Sequence, residues 1–171
     1  MRQDTSLDAA PIRQPPVPDD GIDFALIELI FFSYRDFTSD PDQLLDRIGF
    51  GRAHHRVVHF VNRRPGLTVA ELLEVLKITK QSLARVLKQL IDTGHIVQEQ
   101  GPRDRRQREL YPTAKGRALA LALAAPQSRR IARALAEIEP ADRSVIERFM
   151  MAMVNPELRA QIAQISPADR Q

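Results

Sequence analysis

Three observations predict a mainly α-helical fold carrying one small β-hairpin. Apolar residues recur at helical spacing through most of the 171 residues. Two helix starts, at Thr68 and Thr79, are written as side-chain caps separated by one short helix and a tight connection. Only residues 95–112 change to β texture, around a Gly101-Pro102 turn. Apolar residues make up 43% of the chain and charged ones 27%, enough to bury a core in a water-soluble domain. Cysteine is absent, which excludes disulfides, a thiol nucleophile, a thiolate zinc site and sensing by cysteine oxidation. No run approaches the roughly 18 consecutive apolar residues of a membrane span, and the proline-bearing N-terminus lacks the order of a signal peptide. These features point to a soluble, cytoplasmic protein.

The elements follow in order. Residues 1–20 hold Pro11, Pro15, Pro16 and Pro18 among scattered charges and read as a disordered arm. From Asp23 to Phe37 the chain is apolar around most of a helix, with Phe24, Ile27, Phe31, Phe32, Tyr34 and Phe37, which requires burial on more than one side and so a second subunit. Asp40, Pro41 and Gln43 carry the capping signature of a separate short helix. After Gly49 and Gly51 a helix is expected over residues 52–62, ended by Pro65-Gly66. Thr68 and Glu71 form a capping box for two turns of helix with Val69, Leu72, Leu73 and Leu76 inward. Thr79 caps a longer helix to about Thr93, with Leu83, Val86, Leu87, Leu90 and Ile91 on one face and Gly94 at its left-handed end. Two strands follow, about His95–Glu99 and Gln107–Pro112. Thr113 starts an alanine- and leucine-rich helix that Pro126 should kink or break. Helical signals return over residues 129–138, after Pro140, and over 157–165. Short helix, tight turn, longer helix and basic hairpin together make a helix-turn-helix followed by a wing.

Charge locates the function. The net charge of +3 conceals a division. Residues 1–51 hold 4 basic and 10 acidic side chains, residues 52–117 hold 14 and 6, and residues 118–171 hold 7 and 6. A concentrated basic region is the footprint of a polyanion partner, unless it is merely a solvated surface. In a helix-turn-helix the second helix enters the major groove. Its buried stripe leaves Lys80, Gln81, Ser82, Arg85, Lys88 and Gln89 outward, with Thr79 at its start. Arginine and glutamine grip guanine and adenine through paired hydrogen bonds, while Lys80 and Lys88 suit phosphates. An ordinary solvated helix face is disfavoured because no acidic residue precedes Asp92. Arg103, Asp104, Arg105 and Arg106, with Arg108 beyond, place guanidiniums at the hairpin tip, where a narrow minor groove would attract them. Asp104 would orient a neighbouring arginine by a charge-assisted bond; a loose basic loop touching phosphates is the alternative.

The residues Leu-Thr-Val-Ala-Glu-Leu-Leu (67–73), Ile-Thr-Lys-Gln-Ser-Leu-Ala-Arg-Val-Leu-Lys-Gln-Leu (78–90), Asp-Thr-Gly-His-Ile (92–96) and Asp-Arg-Arg (104–106), continuing to Thr113 and Gly116, resemble the MarR family of bacterial transcription regulators. Tyr-Arg-Asp-Phe-Thr-Ser-Asp-Pro (34–41) and Gly-Phe-Gly-Arg-Ala-His-His-Arg (49–56) are similar to its PetP-like subgroup. The resemblance implies a homodimer whose intertwined terminal helices hold two winged helix-turn-helix modules, with Asp104 and Arg106 as the wing motif and Arg106 as the minor-groove finger. Two departures stand out: Lys77 at a turn position often glycine, and Pro112 where leucine is usual.

The resulting expectation is a winged helix-turn-helix with a helical dimerisation region built from both termini. Residues 21–48 and 117–171 are its dimerisation helices and residues 49–116 its DNA-binding domain. Phe24, Ile27, Phe31, Tyr34, Ile146, Phe149, Met150 and Met153 are the interface candidates. No catalytic constellation is present. The function expected is a homodimeric, ligand-responsive repressor of a pseudo-palindromic operator in double-stranded DNA; a winged-helix protein-interaction module is the alternative. No cofactor is expected, and a small-molecule effector is unidentified. His55 and His59, four apart on one helix face, are metal candidates lacking a third ligand, so packing or hydrogen bonding is the preferred role for them. The aromatic cluster Phe31, Phe32, Tyr34 and Phe37 reads as interface core before it reads as a drug pocket.

Overall fold

The computed structural model describes residues 21–101 and 107–165. The chain divides inside its first helix, between Arg35 and Asp36. That helix, α1 (Phe24–Asp46), begins on Asp23, whose carboxylate accepts the Leu26 N–H at 2.9 Å. The separate helix expected from Asp40, Pro41 and Gln43 does not form, because α1 runs straight through Pro41. Proline removes the N–H that would bond the carbonyl four residues back, here Phe37. The Gln127 side-chain amide donates to that Phe37 oxygen at 3.2 Å instead, and Arg130 reaches the Asp40 carboxylate at 3.3 Å. A side chain ninety residues away thus supplies the missing donor, and the local stop signal is overridden.

The second part of the chain holds α2 (Arg52–Arg63), α3 (Val69–Leu76), α4 (Lys80–Asp92), α5 (Ala114–Leu135), α6 (Arg143–Met153) after a 3-10 turn at Pro140–Asp142, and α7 (Pro156–Ile165). Its sheet is β1 (Leu67–Thr68), β2 (Ile96–Gln100) and β3 (Arg108–Pro112), antiparallel in the order β1-β3-β2. The hairpin matches expectation; β1 is an addition, two residues pairing Leu67 with Leu110 and Thr68 with Glu109. The hairpin register pairs Ile96 with Pro112 and Gln100 with Arg108. β3 is the central strand and not an edge, but Pro112 is its last residue, beyond the two that pair with β1, so its missing N–H breaks no β1 bond. Pro126 lies inside α5, which continues through it, so the predicted break does not occur.

The core gathers Val57, Val61, Leu72, Leu83, Leu90, Ile96, Leu110 and Leu123 with Leu45, all essentially sealed from solvent. It joins α2, α3, α4, the sheet and the first half of α5, the arrangement that fixes the helix-turn-helix. Each buried leucine contributes about 1.5–3 kcal/mol of transfer free energy. By contrast the large apolar side chains of α1 from Leu26 to Tyr34 are open, Phe24 being half-buried: Ile27 is 42% exposed, Phe31 68% and Tyr34 58%. On α6, Ile146, Phe149, Met150 and Met153 are likewise exposed.

Candidate nucleic-acid interface

The reading helix is positioned by its caps. The Thr68 hydroxyl accepts the Glu71 N–H at 3.2 Å, and the Glu71 carboxylate accepts both the Thr68 N–H and hydroxyl, closing the capping box of α3. Burial alone would raise the Glu71 pKa, but those two bonds from Thr68 and the Arg64 guanidinium at 2.8 Å hold it below its ordinary value. The turn to α4 passes through Lys77 at φ 50° and ψ 44°, the left-handed region expected where the family favours glycine. The Arg56 guanidinium donates to the Leu76 carbonyl at 2.7 Å, satisfying one open acceptor at the end of α3. Thr79 then accepts the Ser82 N–H at 3.1 Å and starts α4.

The sequence-predicted contact residues separate into three groups. Lys80, Gln81 and Arg85 lie exposed on α4, with Ser82 half-buried beside them. Thr79 and Lys88 are partly engaged: Thr79 donates to the Ser82 hydroxyl at 2.9 Å, and Lys88 pairs with Asp92 at 2.6 Å on the exposed surface. Such a pair is worth little in water, so it leaves Lys88 available to an anion. Gln89 is engaged within the fold. Its Oε1 accepts from His54 Nε2 at 2.8 Å and its amide donates to the Gly49 carbonyl at 3.3 Å. His54 Nδ1 in turn accepts the Gly51 N–H at 3.1 Å, which fixes the neutral ring with its proton on Nε2. The His54 ring stacks on Phe50 at 4.6 Å, and Phe50 meets the buried His95 edge-on at 5.2 Å. These bonds make Gln89 a brace between α4 and the start of α2. Periodicity placed it on the outer face; only the tertiary partner 35 positions away draws it in.

Arg103, Asp104, Arg105 and Arg106 lie outside the described residues. Arg108 is exposed at the start of β3, across from Gln100. The wing is anchored at its base. The Thr113 hydroxyl donates to the Gly94 carbonyl at 2.7 Å, the Thr113 N–H donates to His95 at 3.1 Å, and the Lys115 ammonium reaches the Thr93 carbonyl at 2.8 Å. This knot, with Gly94 at φ +72°, joins the end of α4, the start of β2 and the start of α5. Nothing in the linear pattern announced it except Thr113 itself.

For the metal question, no group of three or more histidine, cysteine or acidic side chains close enough to share an ion occurs among the described residues. Desolvation, with His59 nearby, lowers the His55 pKa against the opposing pull of Asp42. Desolvation and the Arg63 charge lower that of His59, whose ring meets Phe60 edge-on at 5.1 Å. Among the described residues no helix is long and apolar enough to cross a membrane.

The model of the MarR family matches residues 48–107. The HTH-type transcriptional regulator PetP of Rhodobacter capsulatus is 44% identical over 143 residues, which is 84% of this chain and 86% of that protein. This chain belongs to the MarR family. Solved structures agree on the fold: a MarR protein from Peptoclostridium difficile superposes with a TM-score of 0.68 at 17% identity, covering 90% of this chain and 99% of its own. Streptococcus pneumoniae FabT, solved in complex with DNA, superposes at 0.66 with 16% identity, covering 77% and 94%. As a MarR-family protein the chain is a DNA-binding transcription regulator, and members of the family are not enzymes. Its mainly helical winged architecture is the one expected from the sequence.

Proposed function

We propose that this MarR-family regulator is a homodimeric, ligand-responsive repressor that seats two copies of α4 in successive major grooves of a pseudo-palindromic operator. The observation that carries the reading is the face of α4 left open by the fold: Lys80, Gln81 and Arg85 stand exposed with no carboxylate among them, while Gln89 is held inward. Arg85 and Gln81 read base edges, Lys80 and Lys88 hold phosphates, and the wing arginines Arg103, Arg105 and Arg106 enter the minor groove with Asp104 orienting one of them. Arg108 supports the wing on the backbone.

The exposed apolar residues of α1 and α6 support the dimer. Phe31, Tyr34, Phe149, Met150 and Met153 are each about half or more exposed, a state that a soluble chain relieves by association. Residues 21–48 and 117–171 then serve as dimerisation segments and residues 49–116 as the DNA-binding domain. Two-fold symmetry spaces the reading helices by roughly 34–36 Å, one turn of DNA. Repression follows from occupancy, since an operator-bound dimer blocks polymerase in the cytoplasm where the chromosome lies. DNA-seq of fragments retained by the purified protein should return a two-fold motif with half-sites about ten base pairs apart. Retention without a motif, or a monomer by sedimentation, overturns the reading.

A further inference from the structure

A concave surface away from α4 and the wing carries an unassigned charge arrangement. The end of α1 and the middle of α5 enclose a cleft of about 450 Å³ lined by Arg47, Arg129, Arg130 and Arg133, with Asp40 the only carboxylate among its lining residues. The side chains of Arg47, Arg129 and Arg133 make no hydrogen bond or ion pair among the described residues. The nearby Asp42 does not neutralise them, being held by Arg52 at 2.8 Å. Arg130 is the most telling member. It meets Asp40 through one terminal nitrogen at 3.3 Å, while its Nε is buried without a partner. A guanidinium can grip an oxyanion through two parallel bonds, so one long contact with an orphaned donor leaves it poorly satisfied. A multiply charged oxyanion in the cleft would offer the reachable terminal nitrogens of Arg130 stronger acceptors than the 3.3 Å contact to Asp40 does. The four cations raise the positive potential where such a ligand would sit. Leu44, Ala122 and Pro126 give the same cleft an apolar strip, suited to the body of an organic phosphate.

We propose that this cleft binds a small, multiply charged phosphate compound, clamped by Arg129, Arg130 and Arg133 from α5 and Arg47 from α1. Any role as an effector site rests on the operator reading above; the binding itself does not, because it is measured without DNA.

The experiment is isothermal titration of the full chain with inorganic pyrophosphate at constant ionic strength, with sulfate as the singly compact dianion control. Saturable binding to one site per chain is expected, at least tenfold tighter than sulfate. The exposed double variant R129A/R133A should weaken it at least tenfold. The variant Q43E, which adds a carboxylate to the lining without removing any contact, should weaken it severalfold while leaving the fold intact by circular dichroism. K80A/R85A, on the reading helix, should leave pyrophosphate affinity unchanged. Absence of saturable binding overturns the proposal. So does binding that survives both cleft variants, or binding that is lost in K80A/R85A, which would place the anion on the DNA-binding face. Operator affinity measured alongside separates the two readings: a protein that binds pyrophosphate in the cleft but no operator loses only the regulatory role.

Discussion

His54 Nε2 lies 2.8 Å from Gln89 Oε1, tying the first turn of α2 to the third turn of the reading helix. Because the Gln89 amide also donates to Gly49, one side chain stitches the loop before α2 to α4. Removing it leaves the half-buried His54 N–H unpaired, while the exposed Gly49 carbonyl can turn to water, at a cost of about 1 kcal/mol.

Gln89→Ala should therefore lower the melting temperature and weaken operator binding to the same degree at every base position. Arg85→Ala should leave stability within about 0.5 kcal/mol and cost about 1–3 kcal/mol of operator binding, concentrated at one base pair. Affinity measured across a panel of single-base operator variants distinguishes the two. A position-specific effect of Gln89→Ala would return that residue to the reading face.

Gly116 opens the first turn of α5 directly against the backbone carbonyl of His95, and a Cβ there would overlap that oxygen. Backbone cannot step aside as a flexible side chain can. Gly116→Ala should destabilise the protein by about 2–3 kcal/mol in urea unfolding, although alanine is the better helix former. A neutral or stabilising result would mean that the joint at Thr113 is loose.

Lys77 occupies the left-handed region with its side chain exposed. That conformation costs a non-glycine residue about 1–2 kcal/mol, part of which glycine returns through a more flexible unfolded chain. Lys77→Gly should raise stability by about 0.5–1 kcal/mol, read as a shift of the denaturant midpoint at constant slope. A destabilised variant would show that the lysine side chain contributes more than its backbone strain removes.

Three histidines set a pH dependence. Desolvation is the largest cause holding His55, His59 and His95 below their ordinary value of 6.5, aided at His95 by Lys115. The unfolded chain takes up protons near that value and the folded chain only at lower pH, so unfolding is favoured by acid. Stability should be complete above about pH 6.5, then fall as the pH drops through the depressed folded values. Scanning calorimetry from pH 7.5 to 5 checks this, and His55→Gln should flatten part of the slope. A melting temperature that rises over that interval would contradict it.

What the chain reveals by itself depends on how far each interaction reaches. The Thr68–Glu71 box, the Thr79 and Thr113 caps and the left-handed Gly94 are all decided within a few residues, and all are where the sequence analysis places them. What the local pattern leaves unseen has the opposite property. Asp40, Pro41 and Gln43 spell a helix start, yet Gln127 fills the acceptor freed by Pro41 and the helix continues. β1 is too short for an alternating pattern and exists because Leu110 lies opposite Leu67. Gln89 keeps the outward spacing of a contact residue while its partners come from residues 49 and 54. The arginine cleft is equally silent, since Arg47 and Arg129 become neighbours only where the end of α1 meets α5.

The bonds from Thr113 and Lys115 to the carbonyls of Thr93, Gly94 and His95 tie the end of the reading helix, the base of the hairpin and the start of the long helix into one joint. A torque applied along α5 is therefore handed to the groove-facing parts as rigid-body rotation instead of being absorbed in a loop. A regulator assembled this way can change its grip on DNA by tilting, with every contact residue keeping its local geometry.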